Sequence, residues 1–323
     1  MKLLDYNPLH NVLVMENKIN RYIRLIKQAL TDYKWALYYF QMLILNPKYR
    51  RLIADLFSYF LPKSQNLKID IETKKNIKTF QEYGLVVLDN FVTKTQVEEM
   101  KSYLSPKLCF DRHRPENGRF NVPRFAHKSC IHAYYTPEDI IDTPHLLDLA
   151  NETRVLSIIE DRFGAKPTIS LMQIWWLLSG FDIEANLNDR YLTHPEEFHR
   201  DVDDWSEIKL FIYLTDVDED SGCHAFMKKS HTWLLPPRTR DLDMRSPDFP
   251  IVNNLTKITG EAGLAWLENS YVLHRSFVPK NKDRLILAIT YTLSALPLGP
   301  RVPLRSYPEN SQFDTYINRI YLN

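Results

Sequence analysis

From Pro167 to Leu293 the chain runs through short apolar segments rich in β-branched and aromatic residues, each bounded by turn residues: TISLMQIWWLL, KLFIYLTDV, CHAFMKK, LAWLENSYVL and RLILAITYTL. No helix-length amphipathic segment interrupts the later ones. Strands following one another without crossover helices pair antiparallel, so this stretch predicts a sandwich or jelly-roll barrel. With 44% hydrophobic and 12% aromatic residues over 323 positions, the chain can bury the core such an architecture needs.

Helical patterns lie before the β-rich part. Apolar residues recur at helical spacing in IRLIKQALTDYKWALYYFQMLIL and in RRLIADLFSYF, with Asn46-Pro47 as the break, which predicts two helices before Pro62. This part is basic, with Lys18, Arg21, Arg24, Lys27, Lys34, Lys48, Arg50 and Arg51 against few acids. It is expected either to pack on the core or a partner subunit, or to touch an anionic membrane surface or a lipid-linked substrate. KKNIKTFQEYGLVVLDNFVTKTQVEEMKSYL then reads as a helix ended by Gly84, the strand LVVL, and a helix capped at Thr93 or Thr95. Asp111 to Tyr135 is a long polar stretch, of the length often found in lids, that carries His113, His127 and His132. The expected division is a helical extension over 1–66, an enzyme domain over 67–293 and an irregular tail over 294–323, where Pro297, Pro300, Pro303 and Pro308 predict a surface-wrapping path.

Charge and cysteine usage narrow the functional classes. A formal net charge of +1 gives no global attraction to nucleic-acid phosphates. Cys109, Cys130 and Cys223 are odd in number and form no CxxC pattern, so neither a disulfide framework nor a thiolate zinc site is expected, and a reducing cytoplasm is the natural setting. The N-terminal stretch has no signal-peptide core, and no segment reaches the length of a membrane span.

The chemistry concentrates in HPEEFHRDVDDWSEIKLFIYLTDV, which begins at His194. His199 and Asp201 are two apart, so on an extended backbone both side chains point to one side of the strand. A second imidazole from another strand would complete a facial set of three ligands and leave positions open for a chelating cosubstrate and oxygen, the non-haem Fe(II) arrangement. In LENSYVLHRSF, His274 ends an apolar strand, and Arg284 opens the next one ten residues later. An arginine there can hold a carboxylate bidentately. His194 and Glu196 form a rival pair, but Pro195 between them disfavours a regular ladder position. Trp175, Trp176 and Trp266 read as core aromatics first and as substrate walls second.

The ordered series HRD, SGCHAFMKKSH and LENSYVLHRSF with Arg284 following resembles the phytanoyl-CoA dioxygenase family of Fe(II)- and 2-oxoglutarate-dependent oxygenases, over about Lys74 to Leu293. The resemblance implies a mainly β fold with added helices, built on a double-stranded β-helix of jelly-roll, cupin-like form. It implies that His199, Asp201 and His274 are the catalytic metal ligands, that Arg284 binds the far carboxylate of 2-oxoglutarate with Ser276 beside it, and that Gln173 touches the cosubstrate. His231 resembles the family's structural turn histidine, and His224 can pack or line the pocket. Where the family has Pro-Gly before Ser-His, this chain has Lys228-Lys229. The implied cofactors are Fe(II), 2-oxoglutarate and O2, and the implied outcome is hydroxylation of an aliphatic carbon in a small-molecule or lipid-linked substrate. Asp201 argues against a halogenase, in which a halide takes the place of the carboxylate. Asp203, Asp204, Trp205 and Arg275 lie near the ligands in sequence and are candidates to face the substrate. A hydroxylase of a protein side chain, or a scaffold that keeps the barrel without turnover, are the alternatives.

Overall fold

Asp32 divides the first helical stretch in two. The periodicity predicts one helix from Ile23 to Leu45, but in the computed structural model α1 (Lys18–Thr31) and α2 (Tyr33–Gln41) separate at Asp32. The Asp32 carboxylate accepts from the backbone N–H of Lys34 at 2.9 Å and caps α2. α3 (Pro47–Tyr59) starts behind Asn46, whose side chain accepts from Lys48 N at 2.9 Å, as the Asn-Pro break predicts. The structure describes residues 18–64, 69–122, 128–182, 197–236, 239, 241–243 and 254–323.

α4 (Ile71–Tyr83) ends at Gly84, which has φ +80°, and leads into β1 (Leu85–Leu88). A Cβ on Gly84 would lie 2.5 Å from Val272 Cγ1 and 2.6 Å from His231 Nδ1, so the position needs glycine for its backbone and for its neighbours. α5 (Lys94–Leu104) is capped by Thr93 in a reciprocal box with Gln96. Three short strands, β2 (Cys109–Phe110), β3 (Arg119–Phe120) and β4 (His132–Tyr134), border or lie in the long polar stretch from Asp111 to Tyr135. α6 (Pro137–Ile141), α7 (Leu146–Ala150) and α8 (Thr153–Phe163) follow.

The remaining strands are β5 (Thr168–Leu177), β6 (Glu197–His199), β7 (Glu207–Tyr213), β8 (His224–Met227), β9 (Asp241–Asp243), β10 (Leu255–Ile258), β11 (Ala265–Asn269), β12 (His274–Ser276) and β13 (Arg284–Thr292). They form an eight-stranded sheet in the order β1-β11-β7-β13-β5-β4-β2-β3 and a five-stranded sheet in the order β10-β8-β12-β6-β9, and every strand pairing in both is antiparallel. This is the jelly-roll core with added helices that the strand pattern predicts.

The two faces of the large sheet have different jobs. Ile208, Leu210, Ile212, Leu285, Leu287 and Ile289 point outward into one core shared with Phe80 of α4, Met100 of α5 and Ile158 of α8. Phe211, Tyr213, Trp266, Ile286 and Ala288, at the alternate positions, point into the barrel and meet Phe226 of the second sheet. The C-terminal stretch departs from a purely surface path. Asp314 caps a short helix, α9 (Thr315–Asn318), and Tyr321 is buried with its hydroxyl accepting from Met172 N at 2.7 Å. The prolines break the stretch up to Pro308, but the apolar residues beyond them return to the core.

Candidate metal centre

LAWLENSYVLH reads as one strand, but the chain leaves the large sheet at Asn269 and enters the small one at His274. Asn269 makes the turn: its side-chain oxygen accepts from Tyr271 N at 3.0 Å and its carbonyl from Val272 N at 2.9 Å. His274 therefore begins β12 instead of ending β11, and it stands opposite His199 of β6 with ring centroids 4.4 Å apart. Asp201 follows β6, its backbone N–H donating to Ser270 O at 2.9 Å. The Asp201 carboxylate lies 3.7 Å from His199 Nε2 through Oδ1 and 3.4 Å from His274 Nε2 through Oδ2. One donor atom from each of the three residues lies within 4.8 Å of the others. Two imidazoles and one carboxylate converging from one side fit a non-haem Fe(II) ion with open positions.

The ligands are held from behind. His274 Nδ1 sits 3.0 Å from Val272 O and 3.4 Å from Glu268 Oε1, which directs Nε2 toward the metal position. Glu268 also pairs with His224 Nε2 at 2.7 Å, and the His224 ring stacks on His274 at 5.5 Å. Burial disfavours the imidazolium, yet Glu268 and Asp201 push the His274 pKa up to about 9 in the metal-free protein. For Asp201, burial opposes ionisation but is outweighed by Lys209 and His274, and its pKa falls well below the usual carboxylate range.

Lys209 was not singled out from the sequence, nor were Glu207 and Glu268. Lys209 Nζ donates to Asp201 Oδ2 and lies 3.2 Å from Glu207 Oε1. Burial works against the ammonium, but Asp201 and Glu207 raise its pKa, while burial pushes the Glu207 carboxyl up to about 7. The available signal was the alternation itself. In SEIKLFIYL and LAWLEN, charged residues sit at the period-two positions of otherwise apolar strands, and Lys209 pairs with Glu268 across β7 and β11 on the inner face.

Arg284 opens β13 and is 1% exposed. Its guanidinium donates to Gly222 O and, at 3.0 Å, to Ser276 Oγ. Its buried Nε has no partner among the described residues, a cationic donor left over for an anionic ligand. By register Arg284 shares the inner face of the sheet with Leu177, Trp175 and Gln173. Gln173 is half-buried there, opposite Ala288. Trp175 also faces inward and Trp266 is fully buried, whereas Trp176 bonds Tyr135 Oη at 3.1 Å and belongs to the outer packing. In the turn where the family pattern has glycine, Lys229 adopts the left-handed conformation at φ +64°. Ser230 Oγ closes that turn, donating to Met227 O at 2.7 Å and accepting from Leu273 N at 2.7 Å.

The expected substrate residues go elsewhere. Asp203 accepts from Tyr38 Oη at 2.8 Å, and Trp205 is buried against Phe40 and Phe57, so α2 and α3 take up both side chains. Asp204 is also buried and accepts from Ser294 N at 2.9 Å. Arg275, next to His274 on β12, points to the other side of that strand, with its guanidinium 4.8 Å from the Phe277 ring centroid. Arg50 of α3 secures the docking: it donates to Gln41 O at 2.9 Å, Gln41 Oε1 at 2.7 Å, Ile44 O at 3.0 Å and Asp204 O. Gln41 in turn donates to Val202 O. The N-terminal helices thus grip residues 202–205, directly after Asp201. His194, Glu196 and His127 lie outside the described residues.

The family model for phytanoyl-CoA dioxygenase (PhyH) matches residues 80–284, from α4 to the first residue of β13. Among solved structures, the chain is similar to SnoN, a non-haem α-ketoglutarate-dependent epimerase from nogalamycin biosynthesis, at 15% identity and a TM-score of 0.47, over 75% of this chain and 92% of that one. It is also similar to HygX from Streptomyces hygroscopicus, solved with nickel and 2-oxoglutarate, at 16% identity and a TM-score of 0.45, over 68% of this chain and 86% of that one. No curated protein sequence matches the chain.

Proposed function

The chain belongs to the phytanoyl-CoA dioxygenase family, and we propose that it is an Fe(II)- and 2-oxoglutarate-dependent dioxygenase that hydroxylates an aliphatic carbon of a small-molecule or lipid-linked substrate. The observation that carries this reading is the convergence of His199, Asp201 and His274 within 4.8 Å, in the same barrel as a buried arginine with an unpartnered donor.

Fe(II) with 2-oxoglutarate, when bound, supplies the oxidising power: dioxygen is consumed, the cosubstrate is split to succinate and carbon dioxide, and a substrate C–H bond is attacked. The protein's share is positioning and shielding. His199, Asp201 and His274 hold the metal; Val272 O and Glu268 hold the His274 ring by its Nδ1 edge; Lys209 holds Asp201 by one oxygen. Arg284 and Ser276 receive the far carboxylate of 2-oxoglutarate, with Gln173 on the same face. Phe211, Tyr213 and Trp266, buried on the inner face of the large sheet, exclude water from the barrel. Succinate release with Fe(II) and 2-oxoglutarate separates this reading from a scaffold without turnover. Mass spectrometry of a metabolite panel and of candidate peptides separates a small-molecule hydroxylase, which adds one oxygen, from a protein hydroxylase and from epimerising or cyclising enzymes.

A second reading concerns access to lipid. Ile26, Leu30 and Leu52 on α1 and α3, and Leu43 and Phe60 just past the ends of α2 and α3, are exposed, close in sequence to the exposed cations Lys27, Lys48 and Arg51. That combination supports contact with an anionic membrane surface from which a lipid-linked substrate would be drawn. Salt-sensitive sedimentation with phosphatidylserine vesicles is the expected result, and its absence at low salt removes this reading. No helix of the described residues is long and apolar enough to cross a membrane.

A further inference from the structure

The inner face of the large sheet continues past Arg284 onto strands that the metal centre does not use. Arg284 pairs with Leu177 of β5, and Leu177 pairs with His132 of β4. His132, Leu177 and Arg284 therefore form one row on one face. Its two ends are two strand spacings apart, roughly 10 Å. Phe110, the last residue of β2, pairs with Tyr134, and Arg112 lies in the turn two residues beyond Phe110. In the neighbouring row Tyr134 stacks on Trp175 with centroids 5.9 Å apart, and the Arg112 guanidinium lies 4.4 Å from the Tyr134 ring centroid.

Among the described residues no acid pairs with Arg112, a half-buried cation. Its polar contact is Nε to His113 Nε2 at 3.4 Å, and no carboxylate touches it among the described residues. The nearest acid in sequence, Asp111, is committed to Arg114 at 3.3 Å and to His113 N at 2.8 Å. Asp201, Glu207 and Glu268 thus gather around Lys209, while Arg284 shares the row of His132 and the Arg112 guanidinium lies beside Tyr134, two residues from His132. Burial first, and then Arg112, His113 and Arg284, hold the His132 pKa well below its ordinary value.

We propose that Arg112 is the anchor for an anionic group of the substrate, a carboxylate or a phosphate, borne next to a flat or apolar portion that packs on Tyr134 and Trp175. The inference rests on the dioxygenase reading, in which 2-oxoglutarate occupies Arg284 and leaves Arg112 as the acceptor of a second anion. A guanidinium already stacked on an aromatic ring keeps its in-plane donors directed outward, which suits a planar carboxylate or a phosphate edge.

The test uses the full chain, anaerobic, with Fe(II) and saturating 2-oxoglutarate, and calorimetric titration with 3-phenylpropionate, phenyl phosphate and the uncharged 3-phenylpropionamide. At least one of the anions should bind about tenfold or more tightly than the amide, and comparison of the two anions tells a carboxylate site from a phosphate site. Arg112→Gln should remove that preference while leaving unchanged the visible charge-transfer band of the Fe(II)–2-oxoglutarate complex, which also shows that the variant is folded. Equal affinity for amide and anions, no binding of either anion at millimolar concentration, or a preference kept by Arg112→Gln would overturn the proposal. A missing charge-transfer band in the wild-type protein would instead count against the dioxygenase reading, whatever Arg112 does.

Discussion

His274 and His199 face each other across the antiparallel register of β12 and β6, one residue opposite one residue, although 75 positions separate them in the chain. The geometry of the candidate metal centre thus depends on a strand pairing in which they are the one matched pair. Asp201, two residues beyond His199, supplies the third donor and is tied to the same corner by its hydrogen bond to Ser270.

Substitution of any of these three should abolish succinate formation without unfolding the barrel. His199→Ala, Asp201→Ala and His274→Ala each leave two protein donors, too few to hold iron in an open site. Full activity in any of them removes that residue from the metal set. His194→Ala and Glu196→Ala should retain most iron binding, measured by anaerobic Fe(II) titration.

Arg284 should govern 2-oxoglutarate affinity and leave metal affinity nearly unchanged. Arg284→Lys keeps the charge but loses the planar fork; a charged hydrogen bond is worth on the order of 1.5–3 kcal/mol, so binding should weaken roughly ten- to a hundredfold. Arg284→Gln should weaken it further, since the amide carries no counter-charge. The same 2-oxoglutarate affinity in both variants as in the wild type would place the cosubstrate elsewhere.

Arg50 should matter at a distance. Its guanidinium joins α2 and α3 to the segment that follows Asp201, and Arg50→Ala removes its charged hydrogen bonds to the carbonyl oxygens of Gln41, Ile44 and Asp204. Hydrogen bonds to a charged group are worth about 1.5–3 kcal/mol each, so the loss in urea unfolding should reach roughly 3 kcal/mol. Iron affinity should fall by about tenfold or more, as for other residues that position ligands. An unchanged iron affinity would mean that the helices stabilise the barrel without fixing Asp201.

The thiols should be silent until the protein unfolds. Cys109, Cys130 and Cys223 are all buried and unpaired with one another. Burial pushes the Cys109 thiol up to about 12 and raises the other two, so the reactive thiolate is scarce at neutral pH. Ellman titration of the native protein should find none of the three, and titration in guanidinium should find all of them; a rapidly reacting thiol in the native state would show that one of the buried sites opens.

Much of the barrel and of the candidate site was legible along the chain because it rests on local rules. Alternation of apolar residues predicts β5, β7, β8, β11 and β13, and the spacing of His199 and Asp201 needs only that side chains two apart share a side. Gly84 and the Asn46-Pro47 break work the same way, since each acts on its own backbone. What the tertiary structure decided is everything that depends on which side is inside. Alternation puts Glu207 and Lys209 together on one face but does not say that this face encloses Asp201. It reads Ala265 to His274 as one strand because Asn269 sends the chain to the other sheet only when β6 and β8 are there to receive His274. Trp205 looks like a pocket residue until α2 and α3, more than 140 positions earlier, fold over it. Side-chain direction is a property of neighbouring peptide units, whereas register, sheet assignment and burial are set by contacts between segments far apart in the chain, which no local pattern specifies.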